Sequence, residues 1–226
     1  MKELFRRKEL KYLLDETRHQ AFLEALQNQL EPDDFHDYPI KSVYLDTPDY
    51  RYLFHCARKP AYKEKLRVRM YANRQHYLEV KKKWHGITHK SRVGLSPSQL
   101  TAVLTGNRTA FGKPDGEAAR IWMEQLCQPA FTVEYHRRAW HWKGDPSLRI
   151  TLDDSLCWHP PHEQSQPLTK PGEYVLEIKS SSPLPLPLAR TLSTLQLQPA
   201  SVSKAGHAFS ALTQSRKRKE ICPCII

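Results

Sequence analysis

The chain has 226 residues, 35 Lys and Arg against 24 Asp and Glu, and a net charge of +11 at neutral pH. Its pI near 9.5 and mean hydropathy of -0.65 exclude a membrane protein built from apolar helices, and no run of about 18 apolar residues occurs. Aromatic residues at 10% exclude a disordered polymer, and the five scattered cysteines do not suit a disulfide framework. The positive charge points to a polyanionic partner: nucleic acid, phosphate chains or a membrane surface. With no signal peptide in view, a cytoplasmic, reducing location is expected.

In chain order, residues 4–12 read as a strand with Phe5, Arg7, Glu9 and Lys11 on one face. Residues 16–30 carry Phe22, Leu23, Leu26 and Leu30 at helical spacing. A strand is predicted over 40–46, a short helix or turn over 49–56, and a strand pair over 62–72 and 75–83. A further strand covers 87–93. Ser96 before Pro97 suits an N-cap and first-turn proline, opening a helix over 96–104 that stops near Gly106. A second helix is expected at 115–127. Strands return at 130–142, 147–153 and 173–180, with a Pro-, His- and Gln-rich loop at 158–172. Residues 183–187 read as a stiff extended linker, 188–196 as a short helix, and 215–226 as a mobile tail. The fold class is α+β, mainly antiparallel, with a domain at 1–212 and a basic flexible tail at 213–226.

The most informative stretch is Lys63-Glu64-Lys65-Leu66-Arg67-Val68-Arg69. A strand repeats every two residues, so Lys63, Lys65, Arg67 and Arg69 share one face while Leu66, Val68 and Met70 share the other. Close like charges cost up to about 4 kcal/mol per pair at an intermediate dielectric, so water must screen them or an anion must fill the face. The pattern recurs. Glu79, Lys81 and Lys83 oppose Leu78 and Val80. Arg149, Thr151 and Asp153 oppose Leu148, Ile150 and Leu152. Glu177 and Lys179 oppose Leu176 and Ile178. One wet face is ordinary in an antiparallel sheet, but five mostly cationic faces are not. Closed into a β-barrel with its helices outside, such a sheet would form a basic tunnel holding phosphate oxygens, with sparse carboxylates able to bind a divalent metal.

Ordered motifs carry a resemblance. They are Arg7-Lys8-Glu9-Leu10-Lys11-Tyr12, Val43-Tyr44-Leu45-Asp46-Thr47-Pro48, Lys65 to Tyr71, Leu78-Glu79-Val80-Lys81 and Lys90-Ser91-Arg92. Further on come Tyr135 to Trp140, Leu148 to Asp153, Leu176-Glu177-Ile178-Lys179 and Ser203-Lys204. In this order the chain resembles the VTC-type polyphosphate polymerase domain of the triphosphate tunnel metalloenzyme (CYTH-like) superfamily. The resemblance implies a phosphotransferase that moves the γ-phosphoryl of ATP onto a growing polyphosphate chain. It implies Lys11, Arg67, Arg69, Lys81, Arg137, Arg149 and Lys179 as catalytic cations. Lys63, Lys65, Lys90, Arg92, Arg138 and Lys204 would bind substrate, and strand parity does not choose between Arg137 and Arg138. Glu177 would hold Mn2+ or Mg2+, and Glu9 and Glu79 either bind metal or orient a lysine. Hydrolytic branches carry a Glu-x-Glu-x-Lys strand, and here Arg7 stands at the first glutamate, which favours the polymerase branch. A tunnel triphosphatase and a non-catalytic binder of polyphosphate or inositol phosphates are the alternatives. A membrane-protein partner follows from the family, and no specific nucleic acid is expected. Oligomeric state is left open.

Other signals weigh less. His136, His141, His159 and His162 make no zinc spacing with the cysteines. Cys222-Pro223-Cys224 and Arg216-Lys217-Arg218-Lys219 read as a solvated tail.

Overall fold

A computed structural model describes residues 8–58, 60–73, 75–85, 87–160 and 164–221, with side chains described up to residue 214. The strand expected at 4–12 begins at Lys8 and runs to Leu14 (β1); Phe5 and Arg7 lie outside the described residues. Asp15 opens α1 (Glu16–Leu26), its Oδ1 accepting the Arg18 N–H at 2.8 Å. The helix stops four residues earlier than expected. Pro32 disfavours helical backbone at Glu31, and the chain turns at 27–29 into a 17-residue strand, β2 (Leu30–Asp46).

Next come α2 (Arg51–Ala57), β3 (Tyr62–Tyr71), β4 (His76–Trp84) and β5 (Ile87–Gly94). In α3 (Pro97–Thr105), Ser96 and Gln99 form a reciprocal capping box, and Gly106 ends the helix at φ 71°. A short α4 (Arg108–Phe111) precedes α5 (Gly116–Glu124). Long strands β6 (Gln128–Trp142) and β7 (Asp145–His159) follow, then β8 (Gln166–Pro167) inside the expected loop, and β9 (Tyr174–Ser180). α6 (Leu186–Thr194) starts within the stretch read as a linker, with Pro187 in its first turn, where a missing N–H costs nothing. α7 spans Lys204–Ile221, so 213–221 is helical, and the Cys-Pro-Cys motif lies outside the described residues.

The α+β, mainly antiparallel architecture expected from the sequence is the one formed. The strand order is β1-β9-β7-β6-β2-β3-β4-β5, with β8 on β7. β1 and β5 end that order, so among the described residues the sheet is not closed.

The chain forms two compact units, and β2, β6 and β7 each run from one into the other. Unit 1 comprises 1–39, 135–156 and 169–202; unit 2 comprises 40–134, 157–168 and 203–226. In unit 1, Tyr12, Leu14, Leu148, Ile150, Leu152, Leu176 and Ile178 pack with Phe22 and Leu26 of α1 and Leu188 and Leu192 of α6. In unit 2, Val43, Leu45, Leu66, Val68, Leu78 and Val80 pack with Val103, Phe111, Ala119 and Trp122 of α3, α4 and α5. In each unit the helices cover the aliphatic face. The two-residue period then turns the charged residues to the opposite face.

Ile150 is fully buried. Ile150→Ala is expected to lose about 2–5 kcal/mol in denaturant unfolding, while exposed Lys83→Ala stays within about 0.5 kcal/mol.

Candidate functional site

On the charged face of unit 2, strand register lines the cations up in rows. Tyr44, Arg67, Glu79 and Arg92 lie abreast, then Lys65, Lys81 and Lys90, then Lys63 and Lys83. Ser42, Arg69 and Tyr77 make the row on the other side of Arg67. Across β3, β4 and β5 the only carboxylate on this face is Glu79, set among Lys63, Lys65, Arg67, Arg69, Lys81, Lys83, Lys90 and Arg92.

Glu79 is buried, and both its oxygens are engaged. Arg67 donates to Oε2 from Nε at 3.0 Å and Nη2 at 2.8 Å, and Lys90 Nζ lies 2.5 Å from Oε1. Burial alone would raise the Glu79 pKa, but Arg67 and Lys90 outweigh it and hold the group down at about 2. Lys90 is itself pushed down, by lost hydration first and then by Arg67 and Arg69, although its ion pair with Glu79 opposes this. Burial is the larger cause, and the neighbouring cations add to it.

The remaining groups point the same way. Buried Arg69 stacks on Tyr71 at 6.0 Å, and its Nε, like the Ser42 hydroxyl opposite, has no hydrogen-bond partner among the described residues. Arg92 sits over the Tyr77 ring at 4.8 Å. Lys65 Nζ donates to Ser203 Oγ at 3.1 Å, just before Lys204 opens α7. Tyr44, abreast of Arg67, is buried. Burial raises its phenol, but Arg67, Lys65 and Arg69 more than reverse that, so its pKa is lowered.

Unit 1 is built differently. Lys11, Glu177 and Thr151 share one row, and Glu9, Lys179 and Arg149 share the next. Lys179 Nζ lies 2.6 Å from Glu177 Oε1, and Lys11 Nζ lies 2.9 Å from Glu9 Oε1. Buried Arg137 makes a forked pair with buried Asp153 at 2.6 and 2.7 Å, and its Nη2 is 4.0 Å from Glu177 Oε2. Arg149 Nε donates to Asp33 at 2.9 Å. Here carboxylates match cations, so the face is close to neutral. Burial pushes Glu177 up, but Lys179, Lys11 and Arg137 hold it well below the usual carboxylate range. Arg137 is raised despite its burial, by Tyr135, Asp153 and Glu177. Lys11 is raised against its burial by Glu177 and Glu9.

These donors fit a divalent ion in unit 1 better than in unit 2. Glu177 Oε2 has Arg137 only at 4.0 Å, and buried Thr151 Oγ1, across the register from Glu177, has no partner among the described residues. Glu9 is in the adjacent row. Carboxylate and hydroxyl oxygens suit Mg2+ or Mn2+. Glu79, counted among the metal candidates from sequence, is taken up on both oxygens by cations, so its geometry is that of a counter-ion.

The expected residues thus fall into two groups: Lys63, Lys65, Arg67, Arg69, Glu79, Lys81, Lys90 and Arg92 in unit 2, and Glu9, Lys11, Arg137, Arg149, Glu177 and Lys179 in unit 1. Lys204 is in unit 2, at the start of α7. Arg138 belongs with neither group. It alternates away from Arg137, bonds His19 at 2.9 Å and lies 3.7 Å from Asp154. The sequence places Asp153 among the sparse carboxylates of the charged faces without a role of its own, and it does not single out Tyr44 or Asp33 as site residues. Tyr44 and Asp153 were visible in the alternation; Asp33 lies in a polar stretch with no strand pattern.

The VTC domain family model matches residues 6–213, and the chain belongs to that family. No curated protein matches it. Among solved structures, the chain is similar in fold to a candidate adenylate cyclase from Bacillus halodurans (12% identity, 87% of this chain and 95% of that one, TM-score 0.59). A candidate adenylyl cyclase from Hippeastrum, described as having a dominant triphosphatase activity, is also similar (17% identity, 92% and 95%, TM-score 0.56). So is a candidate adenylate cyclase from Vibrio parahaemolyticus (13% identity, 92% and 97%, TM-score 0.51). The family read from the motifs therefore holds: this is a VTC domain, and it shares its fold with these three structures.

The Glu79 pKa sets a pH dependence. Its folded value, about 2, lies below the ordinary 4.5, so the unfolded chain takes up the proton first. The resulting stability is fully present above about pH 4.5 and is lost as pH falls through about 2. Unfolding midpoints followed across that window are expected to fall less steeply for Glu79→Gln than for wild type.

Proposed function

We propose that this protein is a metal-dependent polyphosphate polymerase that transfers the γ-phosphoryl of ATP to the end of a polyphosphate chain. The observation that carries the reading is the cation excess around Glu79, with an unpartnered buried guanidinium N–H on Arg69. A phosphate chain supplies closely spaced anionic oxygens, and Arg binds them by its planar fork. In this reading Arg67, Arg69, Lys81, Lys90 and Arg92 hold phosphate oxygens, with Lys63, Lys65 and Lys204 beside them. Glu177, with Glu9 and Thr151 near, would hold the divalent ion, and Lys11, Lys179 and Arg137 fix Glu177 in its ionised form. A bound Mn2+ or Mg2+ would supply positive charge that neutralises an anionic substrate.

The reaction breaks the bond from the γ-phosphorus to the β,γ-bridging oxygen and forms one to a terminal oxygen of the chain, releasing ADP. That terminal phosphate, with a second pKa of roughly 6, is already largely ionised at neutral pH and needs no general base. Water as acceptor would need one, and the two most buried glutamates of these faces, Glu79 and Glu177, are held at low pKa and are weak bases. Catalysis then rests on positioning and charge neutralisation. The triphosphatase named in the Hippeastrum description supports the second reading, with water as acceptor.

The functional domain is read as 1–212 and the basic tail as 213–226. No helix among the described residues is long and apolar enough to cross a membrane. We read the protein as acting in the cytoplasm, where ATP is supplied, beside a membrane-protein partner.

Purified protein incubated with ATP and Mn2+ is expected to give a polyphosphate ladder on a gel. Metal charge stabilisation is worth several kcal/mol, so Glu177→Gln is expected to lower turnover by roughly a hundredfold or more while retaining triphosphate binding. Free phosphate as the sole product would make the protein a triphosphatase. Binding without turnover would make it a binder.

A further inference from the structure

Unit 2 carries a second set of ligating side chains, away from the rows described above. Glu134 lies on β6, and Cys157 and His159 lie at the end of β7. Between them Trp158 is buried, meeting Phe131 edge-on at 6.3 Å. With Trp158 anchored in the core, the two-residue period turns Cys157 and His159 together to the other side.

His159 Nε2 is 3.3 Å from Glu134 Oε2 and 3.9 Å from Cys157 Sγ. One ligand atom from each of the three residues lies within 4.8 Å of the others. A tetrahedral zinc ion with bonds of about 2.0–2.3 Å sets its ligand atoms roughly 3.3–3.8 Å apart, so the set is near the edges of that tetrahedron. Lys41 Nζ takes Glu134 Oε1 at 2.8 Å and leaves Oε2 facing His159. All three residues are half-buried, so an ion can reach them. A histidine–carboxylate ion pair accounts for one contact but not for a thiol converging on the same ring nitrogen.

We propose that Glu134, Cys157 and His159 bind a zinc-class divalent ion, with water as fourth ligand, tying the end of β7 to β6. Thiolate and imidazole select this class over the Mg2+ or Mn2+ suited to carboxylate sites. Binding replaces the Cys157 S–H proton with the metal and releases that proton. The sequence shows only Cys-x-His, because the third ligand comes from another strand; the histidines therefore carry no zinc spacing when read along the chain.

Cobalt titrated into chelator-stripped full-length protein is the test. One equivalent is expected to give a thiolate-to-cobalt charge-transfer band, abolished in Cys157→Ser. Affinity is expected to fall tenfold or more in His159→Gln and Glu134→Gln, and the band to survive in Cys222→Ser/Cys224→Ser. Zinc is expected to displace cobalt, raise the melting temperature and protect Cys157 from alkylation in wild-type protein, a readout needing no variant. No band, a band that survives Cys157→Ser or is lost with the terminal cysteines, or Cys157 alkylated equally with and without zinc would each overturn the proposal.

Discussion

Glu79 is the constraint on which unit 2's charged face depends. One buried carboxylate accepts the forked donors of Arg67 and the ammonium of Lys90, on a face where the other charged residues of β3, β4 and β5 are all cations. The aliphatic residues on the reverse side leave these strands no choice of face. Turning Arg67 or Arg69 inward would place it among Val43, Val68 and Leu78, where an unpaired charge costs several kcal/mol. Packing of the core and crowding of the cations are therefore consequences of the same register.

The two units solve the charge problem in opposite ways. Unit 1 pairs the four cations of its charged face with carboxylates: Arg137 with Asp153, Arg149 with Asp33, Lys179 with Glu177 and Lys11 with Glu9. Unit 2 leaves its cations in excess. A neutral face on which Glu177 Oε2 lies 4.0 Å from Arg137 suits a hard divalent ion, while an uncompensated cationic face suits a polyanion.

Much of this was legible in the sequence because a strand's period is simple. The alternation through Lys63 to Arg69, and again through Leu176 to Lys179, set the charged residues on one face of each strand. The polar, proline-flanked residues 31–39 carry no such pattern. They are a strand because of their tertiary setting in β2, and Asp33 and Tyr38 went unseen with them. Pro185 and Pro187 read as linker because proline is rigid, yet a proline in a first turn starts a helix as well as it ends one. Arg137 and Arg138 could not be separated by parity; the side-chain partners separate them. The Glu134, Cys157 and His159 cluster was invisible for another reason: its third member is brought in by a neighbouring strand.

We propose that the cation excess on β3, β4 and β5 holds a phosphate chain. Thermal unfolding with tripolyphosphate, compared with sulfate at matched ionic strength, tests it most directly. A rise in melting temperature with tripolyphosphate that sulfate does not reproduce, and that Arg69→Ala largely removes, is the result expected from differential binding to the folded state. Equal shifts from the two anions, or a shift untouched by Arg69→Ala, would contradict it.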